Sequence, residues 1–194
     1  MKLRLILTIM VSFLLVLTSC QNEERSPLAV DMYNNEGDSI GTATLTEQPD
    51  GVQIKLSVEG IEPGFHGIHV HEFPECEGPD FKSAGNHLNT EGNEHGLMHP
   101  EGAHLGDLPN IEAGEDGTID DIKLVLSGAT LMDGKNSLLQ NDGTSLVIHK
   151  GQDDGVSQPA GDAGERIACG SIILDESKEG ESPTDPTELN EDDE

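Results

Sequence analysis

Positive charge is scarce in this chain. Of its 194 residues, 10 are lysine or arginine and 38 are aspartate or glutamate, and the formal net charge is −28. Nucleic-acid binding depends on cationic side chains that neutralise phosphates, so we exclude a nucleic-acid partner. An anionic lipid surface would repel the same charge, and attachment to a membrane would therefore need a separate anchor.

The sequence also lacks an apolar run long enough to span a bilayer. The apolar stretch of residues 5–17 follows a start that contains Lys2 and Arg4, and its length is typical of the hydrophobic region of a signal peptide. The stretch ends in Leu-Thr-Ser-Cys, residues 17–20, which resembles a bacterial lipobox. We expect residues 1–19 to be a lipoprotein signal peptide, with a lipidated Cys20 and a tether to residue 26. That expectation places the protein outside the cytoplasm, anchored to the bacterial cell membrane. An ordinary signal peptide that contains a cysteine is the alternative.

Cysteine is rare as well, because only Cys20, Cys76 and Cys169 occur. If Cys20 carries lipid, the other two can pair outside the cytoplasm. A bridge that closes so long a loop would add roughly 4–5 kcal/mol to stability in the chain-entropy model. The alternative is that both are additional metal ligands.

Helical periodicity is missing from the middle of the chain, where short alternating segments occur instead. In residues 52–58, apolar side chains alternate with Gln53, Lys55 and Ser57, which predicts a half-buried strand. The predicted strands are 28–33, 40–46, 52–58, 67–71, 122–126, 145–149 and 168–174. Residues 27–174 have the length of one domain, and an all-β antiparallel sandwich or barrel fits them.

Two stretches of this domain are too long for turns, residues 72–109 and 150–166, and loops of that length are usually functional.

Beyond the domain, residues 175–194 are acidic and almost without apolar side chains. We expect this tail to be disordered, as a solvated tail that aids solubility, with metal collection as the alternative.

Histidine is absent from both ends of the chain, because all eight histidines lie between residues 66 and 149. His69 and His71 are two apart in a predicted strand, so both project from one face, and His149 ends another strand. The first long loop holds the remaining candidates, which are His87, His95, His104 and Asp107. Three imidazoles and a carboxylate suit a closed zinc site, and an imidazole-rich set suits copper(II). The spacing therefore predicts a centre for two metal ions.

Four segments carry a resemblance to a known family: residues 66–72 (His-Gly-Ile-His-Val-His-Glu), 84–87 (Ala-Gly-Asn-His), 104–108 (His-Leu-Gly-Asp-Leu) and 166–170 (Arg-Ile-Ala-Cys-Gly). In order and spacing they resemble copper/zinc superoxide dismutases of the bacterial type, over residues 28–174. The resemblance implies a Greek-key, eight-stranded antiparallel barrel or sandwich with a metal-binding loop and an electrostatic loop. It also implies one copper and one zinc ion per subunit, and superoxide as the substrate that is converted to oxygen and hydrogen peroxide.

The resemblance extends to individual residues. The implied copper ligands are His69, His71, His87 and His149, and the implied zinc ligands are His87, His95, His104 and Asp107. His87 would bridge the two metals and carry a proton, and Arg166 would orient the substrate. Asp153 matches a carboxylate that links a ligand of each metal. Cys76 and Cys169 match the disulfide of the family.

Two histidines remain outside these sets. His66 matches a position with a packing and hydrogen-bonding role. His99 has no ligand counterpart, so we expect an exposed loop histidine, and a transient copper-docking pair with Met98 is the alternative.

Two other functions are also compatible with the sequence. One is a metal-binding lipoprotein that buffers or delivers copper with little turnover, and the other is a zinc-only module with an empty copper site. Histidine at all four implied copper positions favours the enzyme.

Within residues 150–166, the cations Lys150 and Arg166 are outnumbered by four acidic residues. We therefore expect weak electrostatic steering of superoxide. Nothing in the sequence identifies an oligomeric interface.

Overall fold

The computed structural model describes residues 26–100 and 102–174. The expected signal peptide, Cys20 and the acidic tail lie outside the described residues. Within those two ranges, no helix combines the length and the apolar character needed to cross a membrane. The strands are β1 (Leu28–Asn34), β2 (Ser39–Gln48), β3 (Gly51–Val58), β4 (Gly64–His66), β5 (Ile68–His71), β6 (Ile111–Ala113), β7 (Ile119–Ser127), β8 (Thr144–His149) and β9 (Arg166–Ile172). Two 3-10 turns cover Lys82–Ala84 and Gln140–Asp142.

Seven of the strands form one antiparallel sheet in the order β5-β8-β9-β1-β2-β3-β7. The first three strands form a meander, whereas β3 pairs with β7 and β5 pairs with β8. Strands that are neighbours in the sheet but distant in sequence are typical of a Greek key. The predicted all-β, antiparallel fold class is therefore confirmed.

Strands β4 and β6 form a second, two-stranded antiparallel ladder. β4 runs into β5, which is one edge strand, and β6 precedes β7, which is the other. Only Gly67 separates β4 from β5, and a Cβ at Gly67 would come within 3.0 Å of the Ala163 side chain. If β4 and β5 are taken as one strand bent at Gly67, the described part of the chain has the eight strands that the family resemblance implies.

The alternating pattern of β3 is confirmed by its burial. Val52, Ile54 and Leu56 are fully buried, whereas Lys55 on the other face is exposed. Most of the interior is aliphatic, and each buried Val, Leu or Ile side chain contributes about 1.5–3 kcal/mol relative to an exposed one.

Three features differ from the sequence-based expectations. β4 and β6 were not predicted, because three residues are too few to show an alternation. Residues 128–143 form a third long connection, which the sequence did not indicate. The carboxylate of Glu47 stabilises this connection, since it accepts hydrogen bonds from Thr130 Oγ1 (2.7 Å) and from the Leu131 amide (2.6 Å). Strand β9 is shifted toward the N-terminus of the chain, because it begins at Arg166 and ends at Ile172 rather than at 174.

Candidate metal centre

Strand β5 and the end of β8 place three histidines together. His69 and His71 share one face of β5, while Ile68 and Val70 point into the core, as their spacing predicts. β5 is antiparallel to β8, which ends at His149. The first long loop covers the free edge of β5, because the Val70 amide donates to Gly106 O (2.9 Å) and the Leu88 amide donates to Val70 O (2.8 Å). This contact adds His87 to the group.

Four ring nitrogens converge in this group without a hydrogen-bond partner. They are His69 Nδ1, His71 Nε2, His87 Nε2 and His149 Nε2. The four histidines are buried, and their ligand atoms lie within 4.8 Å of one another. Buried polar atoms normally have a partner, so four unpartnered nitrogens in one place fit a metal ion.

The opposite nitrogen of each ring is held by the protein. His71 Nδ1 donates to Gly85 O (3.0 Å), His149 Nδ1 to Gly164 O (3.3 Å) and His69 Nε2 to the Asp153 carboxylate (2.7 Å). Such contacts fix the tautomer and direct the free nitrogen inward. Burial lowers the pKa of His71 to about 2 and that of His149 to about 3. Both imidazoles are therefore neutral at physiological pH, as a metal ligand must be.

A second group surrounds the carboxylate of Asp107. Oδ1 of Asp107 lies 2.9 Å from His87 Nδ1, 3.1 Å from His95 Nδ1 and 3.5 Å from His104 Nδ1. The ligand atoms of these four residues also lie within 4.8 Å of one another. His87 therefore belongs to both groups, with Nδ1 in the second and Nε2 in the first.

The electrostatics of the second group favour a cation. Burial opposes ionisation of Asp107, but the imidazoles of His104, His87 and His95 outweigh burial and hold the pKa of this carboxyl well below its usual range. Burial would lower the pKa of His95, yet hydrogen bonds to Asp107 and Asp153 raise it to about 9. The second group therefore favours a positive charge, whether a proton on His95 or a metal cation.

Asp153 connects the two groups, which is the role that the family resemblance implies for it. Its carboxylate accepts from His69 Nε2 (2.7 Å) and from His95 Nε2 (3.2 Å). Gly161 packs so closely here that a Cβ would collide with the Asp153 carboxylate, and its φ of +67° also suits glycine. Asn110 was not predicted from the sequence. Its side-chain amide pairs with the backbone of Asp153, because Nδ2 donates to Asp153 O (2.8 Å) and Oδ1 accepts from Asp153 N (2.9 Å). No local pattern marks a contact across 43 residues.

Arg166 lies beside the first group, at the start of β9 and opposite His149 in the ladder. Its guanidinium donates to Phe81 O (2.6 Å) and to Gly85 O (2.6 Å), the same carbonyl that His71 uses. The disulfide between Cys76 and Cys169 ties this segment of the loop to β9. The pairing that the family resemblance implies is therefore confirmed, and the alternative of two further cysteine ligands is wrong.

The two remaining histidines belong to neither group. His66 is buried, with Nδ1 2.8 Å from His149 O and Nε2 2.7 Å from Glu62 O, which agrees with the expected hydrogen-bonding role. His99 is half-buried, so the expectation of an exposed side chain is wrong. Its neighbour Met98 is 70% exposed.

Comparison with known proteins shows the family of this chain. The family model described as Copper/zinc superoxide dismutase (SODC) matches residues 39–172. The chain belongs to this family. Copper/zinc superoxide dismutases bind copper and zinc, and the two groups of side chains could each hold a metal ion. A relative named Superoxide dismutase [Cu-Zn] 2, from Aquifex aeolicus, is 45% identical over 81% of this chain and 93% of its own length. Superoxide dismutase [Cu-Zn] of Caulobacter vibrioides is 45% identical over 71% of this chain and 80% of its own.

Solved structures of this superoxide dismutase family share the fold. The copper/zinc superoxide dismutase of Brucella abortus superposes with a TM-score of 0.64 at 31% identity, covering 76% of this chain and 99% of that one. A superoxide dismutase-like protein of Bacillus subtilis superposes with a TM-score of 0.73 at 35% identity, covering 76% of this chain and 100% of that one.

Proposed function

We propose that this protein is a copper/zinc superoxide dismutase of the bacterial cell envelope, which converts two superoxide anions and two protons to oxygen and hydrogen peroxide. The observation that carries the proposal is the convergence of four unpartnered nitrogens, from His69, His71, His87 and His149, in one buried place. These four histidines would hold copper. His87, His95, His104 and Asp107 would hold zinc, a set of three imidazoles and one carboxylate that suits this ion.

Copper bound at the first group would supply the one-electron redox chemistry, and side chains of the protein would supply the rest. Arg166 provides a fixed positive charge beside the four histidines, which favours an anion there. Two backbone carbonyls hold its guanidinium, so the charge is oriented before the substrate arrives. Asp107 anchors Nδ1 of His87 and leaves Nε2 of the same ring facing the first group without a partner, so Nε2 is the atom at which His87 would accept and return a proton.

The proposed location depends on Cys20. The apolar stretch before it and its lipobox-like context support lipidation, and the net charge of −28 means that lipid, not charge, would have to hold the protein at the membrane. In the native host, Cys20→Ser should move the protein from the membrane fraction to the soluble fraction. Unchanged membrane association would refute the lipid anchor.

The activity is tested with the chain from residue 21 onward, loaded with copper and zinc. We expect fast dismutation of superoxide, and loss of turnover and of the copper absorption band in His149→Ala. His99→Ala is the matched control, because His99 lies in the first long loop but belongs to neither group. This variant should retain both turnover and the copper absorption band. Absent turnover with full copper occupancy would refute the enzyme.

That refuting result would support the second candidate, a lipoprotein that buffers or delivers copper. One observation favours keeping this candidate, since a relative from Bacillus subtilis that is 37% identical over 77% of this chain carries the name superoxide dismutase-like protein. The next measurement would then be copper transfer from the loaded protein to a chelator of known affinity.

A further inference from the structure

The side chain of Gln158 pairs with the backbone of His95. Its Oε1 accepts from the His95 amide (2.8 Å), and its Nε2 donates to His95 O (2.9 Å). Nε2 also donates to Val156 O (3.1 Å), which anchors the glutamine to its own loop. Gln158 belongs to the 150–165 loop and His95 to the 72–110 loop, 63 residues apart. One uncharged side chain thus satisfies both backbone groups of a completely buried candidate zinc ligand.

The two loops are in close contact around this pair. The Met98 amide donates to Gly155 O (3.2 Å), and Gly96 packs so tightly that a Cβ would collide with Gly155 O. On the other side of His95, the ring nitrogens reach Asp107 (3.1 Å) and Asp153 (3.2 Å). The ring of His95 is therefore held by two carboxylates and its backbone by Gln158.

We propose that Gln158 is a positioning residue for the metal ion held by His87, His95, His104 and Asp107. It fixes the backbone of His95, so that Nδ1 is directed at the ion. The inference rests on the proposed function, because it takes this group as the zinc site. It adds a second contact between this group and the 150–165 loop, beside the hydrogen bond between His95 and Asp153.

Coupling of this kind works in both directions, as linkage requires. Gln158 raises the affinity of the group for zinc. By linkage, bound zinc stabilises the ordered 150–165 loop by the same free energy. Only an amide suits the position, since it must accept from an N–H and donate to a carbonyl at once. A glutamate of the same length would retain the acceptor but would place a second oxygen against His95 O.

Cobalt(II) is the probe, because its visible absorption bands report the geometry of a zinc site. The purified protein is loaded with copper and titrated with cobalt in the wild type, Gln158→Ala, Gln158→Glu and Gln152→Ala. Gln152 is the matched control: it lies in the same loop and is exposed, and no hydrogen bond of its side chain occurs among the residues described. His104→Ala identifies which band belongs to the second group, because only that group contains His104.

We expect Gln158→Ala to weaken cobalt affinity about tenfold, the lower end of the range for residues that support a metal ligand, because Gln158 acts through the backbone. Gln158→Glu should lose at least as much, and both should alter the cobalt spectrum. Gln152→Ala should match the wild type. The copper absorption band should not change in any of these three variants.

The inference is overturned if Gln158→Glu binds cobalt like the wild type, since the donor to His95 O is then not needed. It is also overturned if the copper and cobalt signals weaken together with the melting temperature, which indicates a general structural role. A cobalt band that survives in His104→Ala would refute the zinc assignment itself, and this inference with it. That result is distinct from the failure of Gln158 alone, in which His104→Ala loses the band and Gln158→Ala keeps it.

Discussion

Replacing Cys76 with serine should destabilise the metal-free protein by about 4–5 kcal/mol. The exchange breaks the bond to Cys169, which remains as a fully buried thiol in β9. Because Cys76 is only partly buried, the serine hydroxyl adds little desolvation cost of its own. The stability change therefore reports mainly the loss of the cross-link.

The magnitude follows from the length of the closed loop. The two cysteines are 93 residues apart, and the chain-entropy model gives about 4.6 kcal/mol at 25 °C for a loop of that size. With a urea m-value of about 2 kcal/mol/M, the unfolding midpoint should fall by about 2 M. This is a large share of the roughly 5–15 kcal/mol by which native domains are stable.

The assay is urea unfolding of the chain from residue 21 onward, without metals, so that neither Cys20 nor ligand binding contributes. Wild-type protein that has been reduced and alkylated at low denaturant serves as a second form without the cross-link, and its midpoint should fall to a similar value. A midpoint shift below about 0.5 M in Cys76→Ser would refute the reasoning. It would mean that the cross-link does not act by restricting the unfolded chain.

Four further outcomes follow from the site. Arg166→Glu should reduce turnover about 100-fold while the copper band remains, and unchanged turnover would reject the role of this guanidinium in orienting superoxide. Asp107→Asn removes the negative charge of the second group, so zinc affinity measured by chelator competition should fall by more than about 100-fold; a smaller loss would argue against direct ligation. Removing both metals should lower the melting temperature, because only the folded chain holds the ligands together, and equal melting curves with and without chelator would contradict both metal sites. Added salt should reduce the rate only slightly, since acidic residues outnumber the cations Lys150 and Arg166 within residues 150–166; a steep decline would contradict weak steering.

The sequence alone predicted the strands that carry enough alternating residues. β3 shows its buried and exposed faces directly in residues 52–58, and β5 places its two histidines on one face for the same reason. The identities of the metal-ligand candidates were also readable, because imidazole and carboxylate chemistry is a property of the side chain and the family motifs recur at recognisable spacing. The three-residue strands β4 and β6 carried no such signal, since they depend on each other across 45 or more residues.

Tertiary structure decided how the candidates are held. The family resemblance implied the roles of His87 and Asp153, but only the structure shows which atoms of these side chains face each group. That Asn110 and Gln158 each pair with the backbone of one residue is visible only in the structure. The amide contacts span 43 and 63 residues and involve backbone atoms, which every residue type possesses. Hydrogen bonds of this kind leave no pattern in the sequence, so the fold determines which glutamine or asparagine contacts the site and which does not.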